Sequence, residues 1–206
     1  AIGDRGNRMV LDAYEAAFAE VPVADPRFRI EHAQVLSPSD IPRFAELGVI
    51  PSMQGSHQTS DMYWAGERLG PSRLLGAYAW RSLLNTGVII PNGSDTPVES
   101  PNPLLSFRAF FTRQDPGGWP PGGWQPAERV TRKEALLSIT LWPAYAAFMD
   151  QDVGSLSNGK YADFVVLDRD IMQVDPDELL ETRVLRTVLG GRTVYVVSED
   201  SAGAGG

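Results

Sequence analysis

VIIPNGSDT, residues 88–96, joins a short apolar run to a polar turn that contains Asp95. The apolar run over 88–92 is typical of a short buried strand, and Asp95 follows the carboxyl end of that strand. Residues 28–31 show the same pattern earlier in the chain, with His32 directly after them. Because parallel α/β proteins place their chemistry at the carboxyl ends of strands, His32 and Asp95 are the first candidates for a functional site. One imidazole and one carboxylate in such positions are typical of a metal-centred hydrolase.

Composition limits the classes of partner that the chain can have. Its 206 residues, of which 43 % are hydrophobic, are enough for the core of one good-sized domain. The 18 basic and 26 acidic side chains give a net charge of −8 and a pI near 4.8. This balance argues against a nucleic-acid partner, which requires a basic face. No apolar run approaches the length of a membrane span, so we expect no membrane partner.

The counts of cysteine and histidine limit the metal sites that the chain can build. The sequence contains no cysteine, which excludes a disulfide framework and a thiolate metal site within it. Its two histidines are His32 and His57, so a metal site made from this chain alone must include carboxylates. The lack of cysteine also fits a reducing compartment, and we expect a cytoplasmic location.

Helix and strand patterns alternate as far as residue 112. Helical patterns cover residues 4–20, 41–47, 71–86 and 103–112, and strand patterns cover 28–31, 49–53 and 88–92. We expect Asp4 to cap the first helix and Gly48 to end the second. The segment 54–70 is expected to be a polar loop. This order predicts parallel strands joined by right-handed crossovers.

The remaining residues show a different pattern. Residues 114–126 are rich in Gly, Pro and Trp and predict an ordered surface loop. The capping-box residues Thr131 and Glu134 open a helix that is expected to end near Phe148, with a bend at Pro143. Strand patterns follow at 164–167, 184–188 and 193–197, with a hairpin at Gly190-Gly191.

Several short motifs together resemble one family. They are RIEHAQ at 29–34, SMQ at 52–54, AWRSLL at 79–84, GSDTPVE at 93–99, GSL at 154–156, GK at 159–160, ADFVVLD at 162–168 and GGRTVY at 190–195. Each motif alone is weak, whereas the ordered set is specific. In this order and spacing they resemble the YtcJ-like branch of the amidohydrolase superfamily, and the likeness extends over residues 1–197.

The resemblance implies a fold and a place for the chain within it. Members of the superfamily are metal-dependent hydrolases on a (β/α)₈ barrel, with a small β-sandwich built from both chain ends. We therefore expect an α/β fold, a partial (β/α)₈ barrel holding its last strands in 1–150 and the carboxyl-terminal part of a β-sandwich in 151–198. Residues 199–206 are expected to be a disordered tail. The family's HxH pair and its fourth- and fifth-strand ligands are missing, so the chain resembles the carboxyl-terminal part of a longer enzyme.

The same resemblance implies functional residues. His32 would be the metal ligand on the sixth barrel strand and Asp95 the ligand on the eighth. Asp95 would also be the catalytic residue, because it can take a proton from a metal-activated water and deliver it to a leaving nitrogen. The implied cofactor is a divalent metal of the Zn²⁺ class, as one or two ions. His57 and Trp64 follow the seventh-strand candidate on the catalytic side and are candidates for substrate binding.

The implied reaction is hydrolysis of an amide-type, non-peptide C–N bond in a small-molecule substrate. Other interpretations stay open. The substrate could be a cyclic amide, or the chain could be a non-catalytic remnant or a subunit that needs a partner chain. The full-length parent could form a homo-oligomer. His32 could instead be a hydrogen-bonded core histidine, Asp95 a turn or cap residue, and His57 an exposed loop histidine.

The partial barrel carries two expectations about structure and one about activity. His32 and Asp95 should come close enough to share one metal ion. Ile30, Met53 and Ile90 should be less covered than in a closed barrel, because open sheet edges and an inner face are left bare. The isolated chain should bind Zn²⁺ weakly and show no appreciable amidase turnover, since hydrolytic zinc sites use at least three protein ligands.

Overall fold

The computed structural model describes residues 1–198 and shows a mixed α/β fold. Its helices are α1 (Asp4–Glu20), α2 (Ile41–Leu47), α3 (Gly55–Leu74), α4 (Trp80–Leu84), α5 (Pro103–Thr112), α6 (Arg132–Ser138) and α7 (Leu141–Ala146). Its strands are β1 (Arg29–Glu31), β2 (Ile50–Ser52), β3 (Phe164–Leu167), β4 (Val184–Leu189) and β5 (Arg192–Val196). Short 3₁₀ turns lie at Pro38–Asp40, Pro126–Glu128 and Leu179–Glu181.

The first two strands pair in parallel, as the helix–strand alternation predicts. Arg29 lies opposite Ile50, and the pairing continues to the end of both strands. The third predicted strand, residues 88–92, is reduced to one parallel bridge between Met53 and Asn92. The nitrogen of Met53 donates to the carbonyl of Pro91 over 2.8 Å. Because proline has no N–H, this segment cannot complete a ladder, and the prediction of a full strand is wrong.

The apolar residues of these strands are fully covered, which contradicts the expectation of a bare inner face. Ile30 is 2 % exposed, Met53 1 % and Ile90 0 %. They share one core cluster with Phe44 of α2 and Phe110 of α5. The helices that follow the strands therefore bury these side chains within the chain itself, and their burial is a large part of the stabilising free energy.

Residues 54–70 form a helix and not the predicted loop. Helix α3 runs from Gly55 to Leu74 and contains a break at Gly70, whose φ is +71°. Its buried face is made largely of small and polar residues, which include Ser56, Gln58 and Thr59. The first turns of this face carry no apolar stripe of helical period, and only Met62, Ala65 and Leu69 follow it further on, so the sequence signal for a helix start at Gly55 is missing. The predicted helix over 71–86 is likewise wrong, because the chain turns after α3 and only the short α4 follows.

Two helix boundaries also differ from the predictions. Gly3, and not Asp4, is the cap of α1; the Asp4 carboxylate pairs with Arg73 at 2.8 Å instead. The capping box of α6 is present as predicted, but the helix ends at Ser138 and α7 begins at Leu141. Pro143 lies in the first turn of α7 and has no N–H to bond back to residue 139, so a break replaces the expected bend.

The last three strands form an antiparallel sheet in the order β3-β4-β5, with the predicted hairpin at Gly190-Gly191. The segment before β4 packs on the helices: the buried Arg108 of α5 donates to the Pro176 carbonyl at 2.8 Å.

The division of the chain at residue 150 stays a prediction, and the predicted tail at 199–206 lies outside the described residues. None of the helices within 1–198 combines the length and the hydrophobicity needed to cross a membrane.

Candidate metal centre

His32 stands directly after β1 in a tight backbone turn. Its N–H donates to the carbonyl of Ser52 at 2.8 Å, which continues the parallel pairing by one residue. The φ angles of His32 and Ala33 are +71° and +43°, so two successive residues adopt the left-handed conformation. Such a conformation is uncommon outside glycine and persists only where the surroundings hold it. These two left-handed residues turn the chain away from β1 directly after its last residue.

His57 lies in the first turn of α3 and is buried. The start of this helix is fixed by two close contacts. The Gly55 nitrogen donates to Asn92 Oδ1 at 2.9 Å, and a Cβ on Gly55 would come within 2.6 Å of the Ser106 carbonyl oxygen. Only glycine allows α3 to approach α5 this closely. The imidazole of His57 is therefore carried by a helix end with little freedom to move.

Asp95 follows the Met53–Asn92 bridge and lies at the same end of the parallel strands. Its φ is +55°, and its carbonyl accepts a hydrogen bond from the Val98 nitrogen at 2.8 Å. The side chain is 41 % exposed. A carboxylate with this exposure can reach both the interior of the site and the solvent.

The three side chains converge on one point. His32, His57 and Asp95 each offer a ligand atom, and these atoms lie within 4.8 Å of one another. His57 Nε2 is 3.9 Å from Asp95 Oδ2, and the two imidazole rings are stacked with centroids 5.7 Å apart. His57 thus joins the two residues whose approach the sequence predicts. Among residues 1–198 this is the one place where three or more His, Asp or Glu side chains meet in this way.

The polar atoms at this point suit a divalent metal. His32 Nδ1 and His57 Nε2 are both buried without a hydrogen-bond partner. Buried nitrogen atoms without partners are unfavourable, and a cation bound to such an imidazole nitrogen would remove that cost. Two imidazoles and one carboxylate form a donor set found in catalytic zinc sites, which use three protein ligands and leave one position open.

A buried polar network that the sequence did not reveal lies beside the three residues. The Asp61 carboxylate accepts hydrogen bonds from the phenol of Tyr78 and from Gln34 Nε2. Burial raises the pKa of Asp61, while the hydrogen bond from Tyr78 opposes that rise. Burial, followed by the Asp61 carboxylate, raises the pKa of the Tyr78 phenol. Asp61 is one helical turn beyond His57, so the position would follow from the sequence if 54–70 were identified as a helix.

The aromatic side chains of this region are not part of the three-residue cluster. Trp64 is 46 % exposed on α3, two turns beyond His57, and the Arg68 guanidinium lies 5.7 Å from its ring. Trp119 stacks on Tyr63 with ring centroids 4.9 Å apart. Trp64 as a substrate contact therefore stays a prediction.

A separate cavity lies at the opposite end of the strands. It has a volume of about 620 Å³ and is lined by Arg27, Ile50, Val88 and Tyr145 among others. Arg27 and Ile50 precede or begin the two parallel strands and Val88 precedes the bridge at Asn92, whereas His32 and Asp95 follow these segments. The cavity is therefore separate from the three-residue cluster.

The comparison with protein families agrees with the sequence resemblance. The amidohydrolase family matches residues 1–195. The chain belongs to this family.

Curated relatives are similar over nearly the whole chain. The protein LONG AFTER FAR-RED 3 of Arabidopsis thaliana is 40 % identical over 95 % of this chain and 33 % of its own length. The putative amidohydrolase YtcJ of Bacillus subtilis is 31 % identical over 95 % of this chain and 36 % of its own. An N-substituted formamide deformylase of Arthrobacter pascens is 34 % identical over 91 % of this chain and 34 % of its own length. The chain thus spans about a third of the length of the curated relatives it matches.

Solved structures of hydrolases share this fold over most of the chain. A metal-dependent hydrolase from Pyrococcus furiosus is 31 % identical and superposes with a TM-score of 0.70 over 84 % of this chain and 33 % of its own. An atrazine chlorohydrolase variant from Arthrobacter aurescens was solved with zinc and atraton. It superposes with a TM-score of 0.56 at 22 % identity, over 84 % of this chain and 37 % of its own. The second likeness shows the fold alone.

Proposed function

We propose that the protein is a metal-dependent hydrolase of amide-type, non-peptide C–N bonds, with His32, His57 and Asp95 as metal ligands. The observation that carries the proposal is the convergence of these three side chains, with two buried imidazole nitrogens lacking any other partner. Membership of the amidohydrolase family supports the reaction class. The relative named as an N-substituted formamide deformylase supports an amide-type C–N bond and a small-molecule substrate.

The proposed architecture follows from the same likeness. β1, β2 and the segment that bridges Met53 are taken as the last strands of a (β/α)₈ barrel, and β3–β5 as part of a β-sandwich. Parallel pairing, with His32 and Asp95 following the carboxyl ends, supports this placement. On this interpretation residues 1–198 hold an incomplete catalytic domain. A cytoplasmic location, favoured by the absence of cysteine, is part of the same proposal.

The structure alters the role proposed for His57. The sequence placed it in a loop as a substrate contact, whereas it lies buried on α3 with Nε2 facing the Asp95 carboxylate. We therefore assign it as the third metal ligand. Trp64, exposed two turns further along α3, remains the candidate for substrate contact.

The chain's own residues would divide the chemistry between binding and proton transfer. A Zn²⁺-class ion, when bound, supplies Lewis acidity toward a carbonyl oxygen and lowers the pKa of water. His32 follows a strand end and His57 lies in the first turn of a helix. Both would hold the ion in a fixed position. Asp95, with its side chain partly open to solvent, accepts a proton from the attacking water and returns it to the leaving nitrogen.

Metal titration of single variants tests the ligand assignment. Zn²⁺ affinity would be measured by competition with a chromophoric chelator for the wild-type chain, His32→Ala, His57→Ala and Gln58→Met. Loss of one of the three ligands should weaken Zn²⁺ binding on the order of 10–100-fold. Gln58 is buried next to His57 and bonds only Met62 Sδ through its amide nitrogen, so Gln58→Met is the matched control. Equal affinity in His57→Ala and Gln58→Met would contradict the assignment.

Turnover tests the reaction class. The full-length parent is assayed with added Zn²⁺, because the isolated chain is expected to show no appreciable turnover. The substrates are a panel of N-substituted formamides, other open-chain amides and cyclic amides. Hydrolysis of the open-chain amides supports the proposal, and hydrolysis of cyclic amides alone favours the cyclic amidase. Metal binding without turnover of any member favours the non-catalytic alternative.

A further inference from the structure

Tyr78 is a buried residue that the proposed reaction does not use. It is 2 % exposed and lies between α3 and α4. Its φ is +52°, in the left-handed region that few non-glycine residues adopt. A bulky aromatic residue keeps this conformation only where its surroundings over-determine it, and such positions cluster at functional sites.

The phenol of Tyr78 joins the two segments that carry the imidazoles. It donates to Asp61 Oδ2 and accepts from Gln34 Nε2, and it lies 3.4 Å from the His57 carbonyl oxygen. Gln34 is two residues beyond His32, and Asp61 is one turn beyond His57. One buried oxygen atom therefore contacts both segments.

The backbone of Tyr78 is held as firmly as its side chain. Its nitrogen donates to the Gln34 carbonyl at 2.8 Å, and its carbonyl accepts from Arg113 Nη1 at 2.9 Å. The Arg113 guanidinium is itself completely buried and lies over the rings of Trp80 and Trp124 at 4.5 and 5.4 Å. The phenol is thus the end of a rigid support that reaches from the loop after α5 to the site.

The turn at His32 is the part of the site that most needs such support. His32 and Ala33 are both left-handed, and the turn is anchored on its near side by the bond from His32 to Ser52. On its far side Gln34 is bonded to Tyr78 through both its backbone carbonyl and its side chain. Without the phenol, the amide of Gln34 loses an acceptor and the half-buried Asp61 loses a donor.

We propose that Tyr78 is a positioning residue for the metal centre. Its phenol fixes the His32 turn relative to the first turns of α3, so that the two imidazoles are held at one point before a metal binds. The inference rests on the proposed function, because it assumes that His32 and His57 are ligands. It predicts an effect on metal affinity and coordination geometry beyond any effect on folding.

The test compares Tyr78→Phe with Tyr145→Phe in the metal-free and metal-loaded protein. Tyr145 bonds Asp25 through its phenol at 3.4 Å and lines the cavity at the other end of the strands, so its variant also removes one phenolic hydroxyl. Three quantities are measured: the Zn²⁺ dissociation constant by chelator competition, the visible absorption of the Co²⁺-loaded protein, and the melting temperature without metal. Tyr78→Phe should raise the Zn²⁺ dissociation constant about tenfold or more and alter the Co²⁺ bands, while Tyr145→Phe leaves both unchanged.

The outcomes separate positioning from simple stabilisation. A lowered melting temperature in Tyr78→Phe with unchanged Zn²⁺ affinity and an unchanged Co²⁺ spectrum would overturn the inference. If Tyr78→Phe does not fold, Gln34→Met decides, because it cuts the side-chain link and keeps a similar volume; unchanged affinity there would also overturn the inference. A wild-type protein that binds neither Zn²⁺ nor Co²⁺ would overturn the proposed function, and this inference with it. Wild-type binding with unaffected variants would overturn the inference alone.

Discussion

At the scale of single residues, four of the eight non-glycine residues with positive φ within 1–198 lie at or beside the three proposed ligands. His32, Ala33, Tyr78 and Asp95 have φ angles of +71°, +43°, +52° and +55°. Each non-glycine residue held in this region costs roughly 1–3 kcal/mol, which the surrounding packing and hydrogen bonds must offset. A position whose only task was folding would be met more simply by glycine. Apart from Ala33, these residues carry an imidazole, a phenol and a carboxylate, and the proposed site uses all three groups.

Asp95→Asn tests proton transfer without disturbing the backbone. Asparagine tolerates the left-handed conformation as aspartate does, so the fold and the melting temperature should be preserved. The amide cannot accept a proton and it replaces a charged metal ligand, so kcat should fall on the order of 10²–10⁴-fold. Steady-state kinetics of the full-length parent on the best substrate of the amide panel measures this. Asp12→Asn, at an exposed carboxylate on α1 that pairs with Arg43, is the control and should keep full turnover. Turnover by Asp95→Asn at the wild-type rate would contradict the catalytic role of this carboxylate.

At the scale of elements, the start of α3 determines the position of His57 in the proposed metal site. Gly55→Ala would bring a Cβ within 2.6 Å of the Ser106 carbonyl and 2.8 Å of Phe110 Cδ2, so α3 must move away from α5. We expect a loss of about 1–3 kcal/mol in the free energy of unfolding, together with weaker Zn²⁺ binding. Gly66 lies in the same helix, and a Cβ there would have no heavy atom within 4 Å, so Gly66→Ala should stabilise by about 0.5–1 kcal/mol. Urea denaturation of both variants measures the difference, and equal effects would argue against the close approach of α3 and α5.

The capping box of α6 gives a prediction about pH. The Arg81 guanidinium, bonded to Glu134 at 2.5 and 3.0 Å, lowers the pKa of that carboxyl from 4.5 to about 2, with a further contribution from Thr131. Because the pKa in the folded state is below that in the unfolded state, the stabilisation is complete above pH 4.5 and is lost as the pH falls toward 2. With allowance for solvent screening, Glu134→Gln should lower the free energy of unfolding by about 1–2 kcal/mol at pH 7. Denaturation at pH 7, 4 and 2.5 should show this difference shrinking, and a constant difference would contradict the coupling of Arg81 and Glu134.

The elements differ in how far their sequence predicts them. α2, α5 and the hairpin at Gly190-Gly191 follow from apolar periodicity and from caps that act locally, and the structure confirms them. α3 does not, because the face it buries against α5 is polar and is stabilised by tertiary hydrogen bonds such as Ser56 to Ser106 at 2.9 Å. Because the sequence predicts a loop over 54–70, it also does not predict the position of His57. The approach of His32 and Asp95 follows from strand ends alone, whereas the contribution of Tyr78 depends on a contact across distant segments that no local pattern encodes.

At the scale of the whole molecule, burial is unequal between the two sheets. β1 and β2 contribute to a core in which Ile30, Phe44 and Trp80 are almost completely buried. β3–β5 are mostly exposed, and Val165, Val194 and Tyr195 are 51 %, 60 % and 48 % exposed. Side chains that bury little apolar surface contribute little to local stability, so the two parts should open with different free energies. A metal held by residues from β1, α3 and the segment after 92 should increase this contrast.

Hydrogen exchange followed by mass spectrometry tests both statements at once. Without metal, peptides covering 184–196 should exchange faster than those covering 104–112, because the antiparallel sheet is exposed and α5 is buried. Saturating Zn²⁺ should slow exchange in 30–36, 55–62 and 92–98 together, since a ligand that binds only the native arrangement stabilises every segment that holds it. The peptides of 184–196 should change least, which makes them an internal control. In His57→Ala the protection by Zn²⁺ should be lost from all three segments. Protection confined to one of them would show that the three side chains do not bind a shared ion.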